Sequence, residues 1–335
     1  MHRRTMMLRA GAALALTGLT PLGLVTGAAP ARADTDWPIR IDHAFGTTVI
    51  PARPQRVATV NWANHEVPLA LGVVPVGFAR AGWGDTDGDG LMPWVAARLK
   101  ELGAETPRLY DEGDGIDFEG VAASAPDVIL AAYSGIGQRD YDTLSQIAPV
   151  VVYRDGPWVS DWRETIRLNS LGMGMAEEGE ALIAQLDARI AQTAAAHPEF
   201  AGEKVMLMAH SAADLSTIGF YSANDPRLEF LQSLGLDLAQ AVEATRDNGQ
   251  FYGSISAENI DMFSDVTLLI TYGGPAVEAA LQANPLTAQV PAVANGAIAK
   301  LQASDLGVAA NPTPLSLPSM IDAYADLLSR TLNGE

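Results

Sequence analysis

Two segments of this chain repeat the same pattern of helix, turn, strand and tyrosine. The first copy is DFEGVAASAPDVILAAYSG, residues 117–135, and the second is AENIDMFSDVTLLITYGG, residues 257–274. In each copy, apolar residues at helical spacing come first and an aspartate then marks a turn. An apolar strand follows and ends at Tyr133 or Tyr272. A helix followed by a continuously apolar strand is typical of a parallel sheet covered on both faces. One copy in each half of the chain therefore predicts an α/β protein of two similar lobes.

The tyrosines that close the two copies point to a binding site. Tyr133 and Tyr272 fall at the carboxyl ends of their strands, which is the edge where open α/β sheets bind ligands. Two lobes that both present this edge form a cleft between them. We therefore expect Tyr133 and Tyr272 to lie on opposite walls of one cleft.

The N-terminus has the composition of an export signal. Residues 1–33 contain Arg3 and Arg4, an apolar run over residues 10–29 and an Ala-Arg-Ala sequence at residues 31–33. This order is typical of a cleaved secretory signal peptide, and the arginine pair resembles a twin-arginine signal, which would imply export in the folded state. A membrane anchor is the alternative, but glycine, threonine and proline interrupt the apolar run.

Charge and cysteine content narrow the classes of function. The 335 residues carry 21 Lys and Arg against 40 Asp and Glu, a formal net charge of −19. The negative electrostatic field of such a charge repels nucleic acid and anionic membrane surfaces. The chain has no cysteine, which excludes disulfides and thiolate metal sites and leaves no cysteine at the signal boundary to carry a lipid anchor. We expect a protein that is free in a confined compartment, most simply a bacterial periplasm.

The mature chain is expected to divide into two lobes without a low-complexity linker. Residues 34–158 are predicted to form the N-terminal lobe, 159–198 a linking segment and 199–335 the C-terminal lobe. Apolar residues of the linking segment recur at helical spacing, with Gly172 and Gly174 marking a kink or break. We predict one long helix that crosses once between the lobes and joins them rigidly.

Ordered motifs along the chain match a known family. They are AFGTTVIP at 44–51, PQRVA at 54–58, LALGVVPVG at 69–77, APDVILAAY at 125–133, IAP at 147–149, IGFY at 218–221, FYGS at 251–254 and DVTLLITY at 265–272. The chain resembles the class III solute-binding proteins of bacterial ABC importers, which bind ferric siderophores, haem and cobalamin, and it is most similar to the ferric-siderophore branch. The resemblance runs from Asp42 to about Leu328. It implies two Rossmann-like lobes with parallel-sheet cores, one bridging backbone helix and a ligand cleft between the lobes.

Aromatic side chains cluster at the predicted strand ends and loops. They supply large contact areas with few rotatable bonds, which suits a bulky metal chelate. We expect eight residues to bind the ligand: Trp62, Arg80, Trp83, Tyr133, Trp158, Tyr221, Tyr252 and Tyr272. The resemblance implies that Tyr133 and Tyr252 match aromatic contacts of ferric-hydroxamate binders. Packing in the core or at the rim is the alternative for each aromatic residue.

Charged residues refine the expected ligand. Arg80 is expected to donate charge-assisted hydrogen bonds to hydroxamate or carboxylate oxygens, with an ion pair to Asp85 or Asp87 as the alternative. Family members that bind hydroxamates often carry an arginine in the segment at 110–116, where this chain has acidic residues instead. With Arg80 and Arg154 as the best cationic candidates for the cleft, a neutral or cationic ferric hydroxamate fits better than a trianionic catecholate.

The resemblance also implies one exposed glutamate per lobe that forms salt bridges with the permease. In the first lobe the matching residue is Glu66, at or just before a helix N-terminus, where carboxylates are favoured. Capping of that helix is the alternative. In the second lobe the matching position is Gln232, and we expect Glu229, one helical turn earlier, to serve instead.

The sequence contains two weak indications of a metal site. The sequence DTDGDG at residues 85–90 fits the first six positions of a calcium loop, but the ninth and twelfth positions are Pro93 and Ala96. We interpret it as a solvated acidic turn beside the cleft, with calcium as the alternative. The 5 histidines are too scattered to form a metal-ion cage.

These features predict a monomeric, exported protein, not lipid-anchored, that captures a ferric siderophore and delivers it to an ABC permease. We expect no cofactor, no enzymatic activity and no nucleic-acid partner. Haem or cobalamin binding by the same fold is one alternative. An exported α/β hydrolase is the alternative of a different class, but the chain has no G-x-S-x-G elbow, H-E-x-x-H motif or glycine-rich phosphate loop.

Overall fold

The computed structural model describes residues 36–208, 214–246 and 251–335. The predicted signal peptide, residues 1–33, lies outside the described residues. Among the helices of the described ranges, none is both long enough and apolar enough to cross a membrane.

The described chain begins with an antiparallel hairpin of β1 (Ile39–His43) and β2 (Gly46–Ile50). Alternate side chains of β1 are buried, as expected for a strand with one covered face. A hydrogen bond of 2.7 Å from Thr48 Oγ1 to Val150 O ties the hairpin to the first lobe.

The first lobe is built on a five-stranded sheet. Its strands are β3 (Val57–Thr59), β4 (Gly77–Ala79), β5 (Arg108–Tyr110), β6 (Val128–Ala131) and β7 (Val150–Val152). All pairs are parallel, in the order β5-β4-β3-β6-β7. Strand β6 comes from the first repeat copy and all four of its side chains are buried, as predicted for a strand covered on both faces.

Short helices connect the strands of this lobe. They are α1 (Glu66–Ala70), α2 (Pro93–Glu101), α3 (Phe118–Ala123) and α4 (Gln138–Leu144). Helix α3 is the helix of the first repeat copy, and Asp117 caps it by accepting a hydrogen bond of 2.8 Å from Gly120 N. A helix between two parallel strands runs antiparallel to them, so α3 begins at the carboxyl edge of the sheet.

The segment that links the lobes contains two helices, which corrects the prediction of one long helix. They are α5 (Trp162–Gly172) and α6 (Ala176–Ala196). Gly174 has a φ of +66°, a left-handed conformation that glycine adopts readily and that ends a helix. The break predicted near this glycine is therefore complete, and α5 and α6 pack against each other.

The second lobe has a mixed sheet. Its strands are β8 (Lys204–Met208), β9 (Thr217–Tyr221), β10 (Asp237–Leu238), β11 (Tyr252–Ser256), β12 (Leu268–Thr271) and β13 (Ile298–Lys300). The order is β11-β9-β8-β12-β13, and β10 also pairs with β8. Strand β9 is antiparallel to β8 and β11, whereas β8, β12 and β13 form the expected parallel core.

Six α-helices lie in the described part of the second lobe. They are α7 (Pro226–Ser233), α8 (Gln240–Glu243), α9 (Pro275–Ala283), α10 (Pro291–Ala294), α11 (Asp305–Ala309) and α12 (Ser316–Leu332). In the second repeat copy the helix before β12 is a 3₁₀ helix, Ala257–Phe263, interrupted by non-helical dihedral angles at Asn259. The strand of this copy, β12, has four buried side chains, as in the first copy.

The C-terminal segment of the second lobe is anchored in the first lobe. Val308 and Ala309 of α11 belong to one buried cluster with Leu69, Phe78 and Trp94. Full burial of a side chain the size of valine contributes about 1.5–3 kcal/mol. The lobes are therefore joined twice, through α5 and α6 and again through α11.

Candidate functional site

A pocket of about 490 Å³ lies between the lobes, and we call it the aromatic pocket. Six of the eight residues expected from the sequence line it: Trp62, Trp83, Tyr133, Trp158, Tyr221 and Tyr272. Five of them lie within six residues after the ends of strands β3, β4, β6, β7 and β12, at the carboxyl edges of the two sheets, where open α/β sheets bind ligands. The two tyrosines of the repeat are therefore brought into one pocket.

Contacts across the aromatic pocket join its two walls. The rings of Trp83 and Tyr272 meet edge to face, with centroids 5.4 Å apart. Asn311 Nδ2 donates a hydrogen bond of 3.1 Å to Tyr133 Oη. Edge-to-face packing leaves other ring faces available for a bulky ligand.

Arg227 is a pocket residue that the sequence analysis missed. Its Nε and Nη2 donate to the two carboxylate oxygens of buried Asp225, at 2.9 and 2.6 Å. The guanidinium carbon lies 3.9 Å from the ring centroid of Tyr221, and Nη1 donates to Tyr272 Oη at 3.1 Å. Burial disfavours the charge, but the hydrogen bonds to Asp225 outweigh it and raise the pKa of Arg227 well above its ordinary value.

The signal for Arg227 is present in the sequence as Asp-Pro-Arg at residues 225–227. Asp225 caps α7 by accepting a hydrogen bond of 2.9 Å from Arg227 N, and Pro226 occupies the first helical position. The N-cap carboxylate of Asp225 also pairs with the guanidinium of Arg227, which holds the side chain beside the start of α7. The residues Phe251 and Asn311 of the pocket wall were also not predicted.

The other expected residues lie around the aromatic pocket or away from it. Tyr252 is 41% exposed and packs beside Tyr221, with centroids 4.6 Å apart, and it is not among the residues that line the pocket. Arg154 forms an ion pair of 2.7 Å with Glu164. Arg80 lines a second cavity.

This second cavity adjoins the aromatic pocket, and we call it the side chamber. It has a volume of about 460 Å³ and shares Trp62, Trp83 and Trp158 with the aromatic pocket. Its charged and polar lining residues are Asn61, His65, Glu66, Arg80, Asp111, Glu112 and Thr313.

Glu112 uses one carboxylate oxygen to hold the loop at Asn61. Its Oε2 accepts hydrogen bonds from Asn61 N and Nδ2, at 2.9 and 2.8 Å. Its Oε1 is buried and has no hydrogen-bond partner among the described residues. Burial raises the pKa of Glu112, although the two hydrogen bonds from Asn61 oppose the shift.

The expectation that Glu66 is an exposed docking carboxylate is wrong. Glu66 is 2% exposed. It accepts hydrogen bonds from Trp94 Nε1 at 2.8 Å, from Leu315 N and Ser316 N at 3.1 and 3.3 Å, and from the hydroxyl of Thr313. Glu66 therefore caps α12, a helix far along the chain, and not the helix in which it lies.

The buried position of Glu66 also affects its ionisation. Desolvation raises the pKa of Glu66 to about 7, and the four hydrogen bonds only partly oppose this shift. The protonation state of Glu66, and with it the contribution of Glu66 to the contact between the lobes, therefore changes with pH in the neutral range.

The remaining two predictions concern surface groups. Glu229 lies on α7 with its side chain 50% exposed and 3.4 Å from Arg163. In the acidic loop, carboxylate oxygens of Asp85, Asp87 and Asp89 lie within 4.8 Å of one another. Asp85 accepts hydrogen bonds from the backbone within this loop, at 2.7 and 2.8 Å. Docking by Glu229 and the solvated acidic turn both stay predictions.

Known proteins resemble this chain over most of its length. The model of a periplasmic binding protein family matches residues 57–304. The ferric enterobactin-binding periplasmic protein FepB of Escherichia coli O6:H1 is 30% identical over 297 residues, 84% of this chain and 88% of FepB. The ferric-anguibactin-binding protein FatB of Vibrio anguillarum is 27% identical, over 78% of this chain and 79% of FatB. Among solved structures, Streptococcus pneumoniae PiaA in complex with ferrichrome is 41% identical, with a TM-score of 0.84 over 88% of this chain and 99% of PiaA.

Proposed function

Because the chain belongs to the periplasmic binding protein family, we propose that it captures a ferric siderophore between its lobes and delivers it to an ABC importer. Its relatives bind ferric enterobactin, ferric anguibactin and ferrichrome. The family consists of substrate-binding proteins, so the chain is a carrier and not an enzyme. The observation that carries the proposal is the aromatic pocket, because seven aromatic side chains converge there with one largely buried arginine.

A ferric hydroxamate is the favoured ligand. PiaA, with 41% identity, binds ferrichrome. The charge of Arg227 is compensated by Asp225 at 2.6 Å, so the pocket offers hydrogen bonds and aromatic faces without a net positive charge. This balance supports a neutral or cationic chelate over a trianionic catecholate.

A fluorescence titration tests this assignment. Three of the 6 tryptophans, Trp62, Trp83 and Trp158, line the aromatic pocket. We expect saturable quenching of the mature protein by a ferric trihydroxamate, and much weaker quenching by the iron-free ligand and by a ferric tricatecholate. Replacing these three tryptophans by phenylalanine should remove most of the quenching. Absence of saturable quenching by every ferric siderophore would contradict the proposed function.

Delivery to the importer requires a surface that the permease can recognise. We propose Glu119 and Glu258, which occupy the second position of the helices in the two repeat copies and are both exposed. Each helix precedes a parallel strand of its lobe, so each begins at the carboxyl edge that borders the cleft. One exposed carboxylate therefore stands on either side of the cleft, in place of buried Glu66. Glu229 is the alternative for the second lobe.

Uptake measurements test this docking surface. Replacing both Glu119 and Glu258 by alanine should reduce transport of the ferric siderophore at least ~10-fold, because charged contacts at an interface control association. Ligand affinity should be unchanged. The matched control is Glu177→Ala, which removes an exposed glutamate from the second position of α6, beyond the end of α5 and away from the cleft. A double variant that transports normally would contradict the docking proposal.

The same proposal covers the organisation and location of the protein. We propose the lobe boundaries 34–158 and 199–335 with the linking segment 159–198 between them. FepB is periplasmic by name, which supports export to the periplasm. We further propose a monomer, and we propose that it has no lipid anchor because the 335 residues contain no cysteine to carry one.

A further inference from the structure

The position of the Trp158 ring depends on a glycine that lines neither cavity. Trp158 lines both the aromatic pocket and the side chamber, and Gly135 lines neither of them. A Cβ on Gly135 would lie 2.5 Å from Trp158 Nε1 and 2.6 Å from its Cε2 and Cζ2, the three atoms along one edge of the indole. Carbon atoms in contact are normally about 3.5–4.0 Å apart. The indole therefore occupies the space that any other residue type at position 135 would need for its side chain.

Hydrogen bonds hold the backbone on both sides of this contact. Gly135 N donates a hydrogen bond of 3.0 Å to Asn61 Oδ1, and Asn61 is held in turn by Glu112. Trp158 N donates a hydrogen bond of 3.1 Å to Ser134 O. Because both backbones are fixed, a methyl group at position 135 would displace the indole, by about 1 Å, rather than the chain.

The backbone around Trp158 carries conformational strain. Five non-glycine residues of the described ranges have left-handed φ angles, between +47° and +63°. Three of them, Asn61, Ala63 and Trp158, line the side chamber. Such conformations cost free energy and cluster at sites that need a fixed geometry. The ring of Trp158 also packs edge to face on Tyr133, with centroids 5.2 Å apart. The indole is therefore held in one place by its backbone, by Gly135 and by Tyr133.

We propose that Gly135 is a positioning residue for ligand binding, which keeps the Trp158 indole where it contacts a bound ferric siderophore. This inference rests on the proposed function. A ring that is already in place loses little conformational entropy when the ligand binds, and its large surface contributes affinity only where it meets the ligand. Glycine is needed here for space and not for backbone freedom, because the φ of Gly135 lies outside the left-handed range. Alanine at this position is therefore compatible with the chain and should act on the ring.

Two alanine substitutions in one loop test the proposal. Gly135→Ala should weaken binding of a ferric trihydroxamate about 3- to 10-fold, measured by tryptophan fluorescence, because the displaced indole loses part of its contact with the ligand. Its urea unfolding should stay cooperative, whereas its near-UV circular dichroism should change as Trp158 moves against Tyr133. The matched control is Gly137→Ala, because a Cβ there meets no atom within 4 Å and the φ is −95°. This control should bind the chelate like the wild type.

A double-mutant cycle separates positioning of the ring from general support of the loop. Trp158→Ala removes the ring and should weaken binding about 10- to 100-fold. Trp62 and Trp83 remain in the aromatic pocket as fluorescent reporters. If Gly135 acts through the ring, adding Gly135→Ala to the Trp158→Ala variant should change the affinity less than about 2-fold, because the two effects are not additive.

Three outcomes overturn the inference and leave the proposed function standing. The first is a Gly135→Ala variant that binds like the wild type. The second is a Trp158→Ala variant that binds like the wild type. The third is an equal weakening by Gly135→Ala with and without the Trp158 ring, which would make Gly135 a support of the loop only. If the wild type binds no ferric siderophore, the proposed function fails and this inference fails with it.

Discussion

Replacing Glu66 by alanine should lower the free energy of unfolding by about 3 kcal/mol. The variant leaves Trp94 Nε1, Leu315 N and Ser316 N without their buried acceptor. It also removes the cap of α12 and leaves a cavity at the joint between the lobes. Urea unfolding of the mature protein measures the change. Glu105→Ala, an exposed loop glutamate, is the control and should change stability by less than about 0.5 kcal/mol.

The pH dependence of stability separates the charge of Glu66 from its hydrogen bonds. The folded protein holds the proton of Glu66 up to about pH 7, whereas the unfolded chain releases it near pH 4.5. Between these values the folded state binds more protons, so the contribution of Glu66 to stability falls as the pH rises, by roughly 3 kcal/mol. Glu66→Gln should lack this component. A wild type that gains stability relative to Glu66→Gln from pH 4.5 to pH 7 would show that the buried group is ionised.

Replacing Arg227 by lysine should weaken binding of a ferric hydroxamate about 10- to 100-fold. Lysine keeps the positive charge beside Asp225 but loses the planar stack on Tyr221 and the nitrogen that reaches Tyr272. Alanine is the poorer test, because it leaves Asp225 buried without a cation and destabilises the fold. Tryptophan fluorescence measures the affinity, and urea unfolding checks that the variant remains folded.

Arg154→Lys provides the matched control for Arg227. Arg154 pairs with Glu164 at 2.7 Å and lines neither the aromatic pocket nor the side chamber. Its replacement should change affinity less than about 2-fold, because an exposed ion pair contributes little. Equal affinities of Arg227→Lys and the wild type would remove Arg227 from the binding site.

The parts of the structure that follow from local pattern were predictable from the sequence. The repeat predicts β6 and β12 as buried parallel strands, because apolar residues without interruption require cover on both faces. It also places Tyr133 and Tyr272 at strand ends that face each other, and the structure brings both into the aromatic pocket. Here local sequence and tertiary structure agree.

The parts that depend on distant contacts were not predictable in this way. Glu66 precedes a helix and has the pattern of a surface carboxylate, but its partners lie about 250 positions further along the chain. The burial of α11 against the first lobe likewise depends on a contact that no local pattern encodes. Arg227 differs from both, because the Asp-Pro-Arg sequence is a local signal, but it marks the start of a helix and not one of the loops after strands in which Arg80 and Arg154 lie.

The double connection between the lobes bears on how empty and loaded forms of the protein would compete for the proposed importer. Helices α5 and α6 form one connection, and α11 with the Glu66 cap of α12 forms the other. Because the lobes are tied at two places, we expect the outline of the molecule to change little when the cleft is filled. Under the proposed function, we expect empty carriers to present the importer with almost the same surface as loaded ones and to compete for it, so that iron uptake depends on the ratio of loaded to empty carrier as well as on affinity.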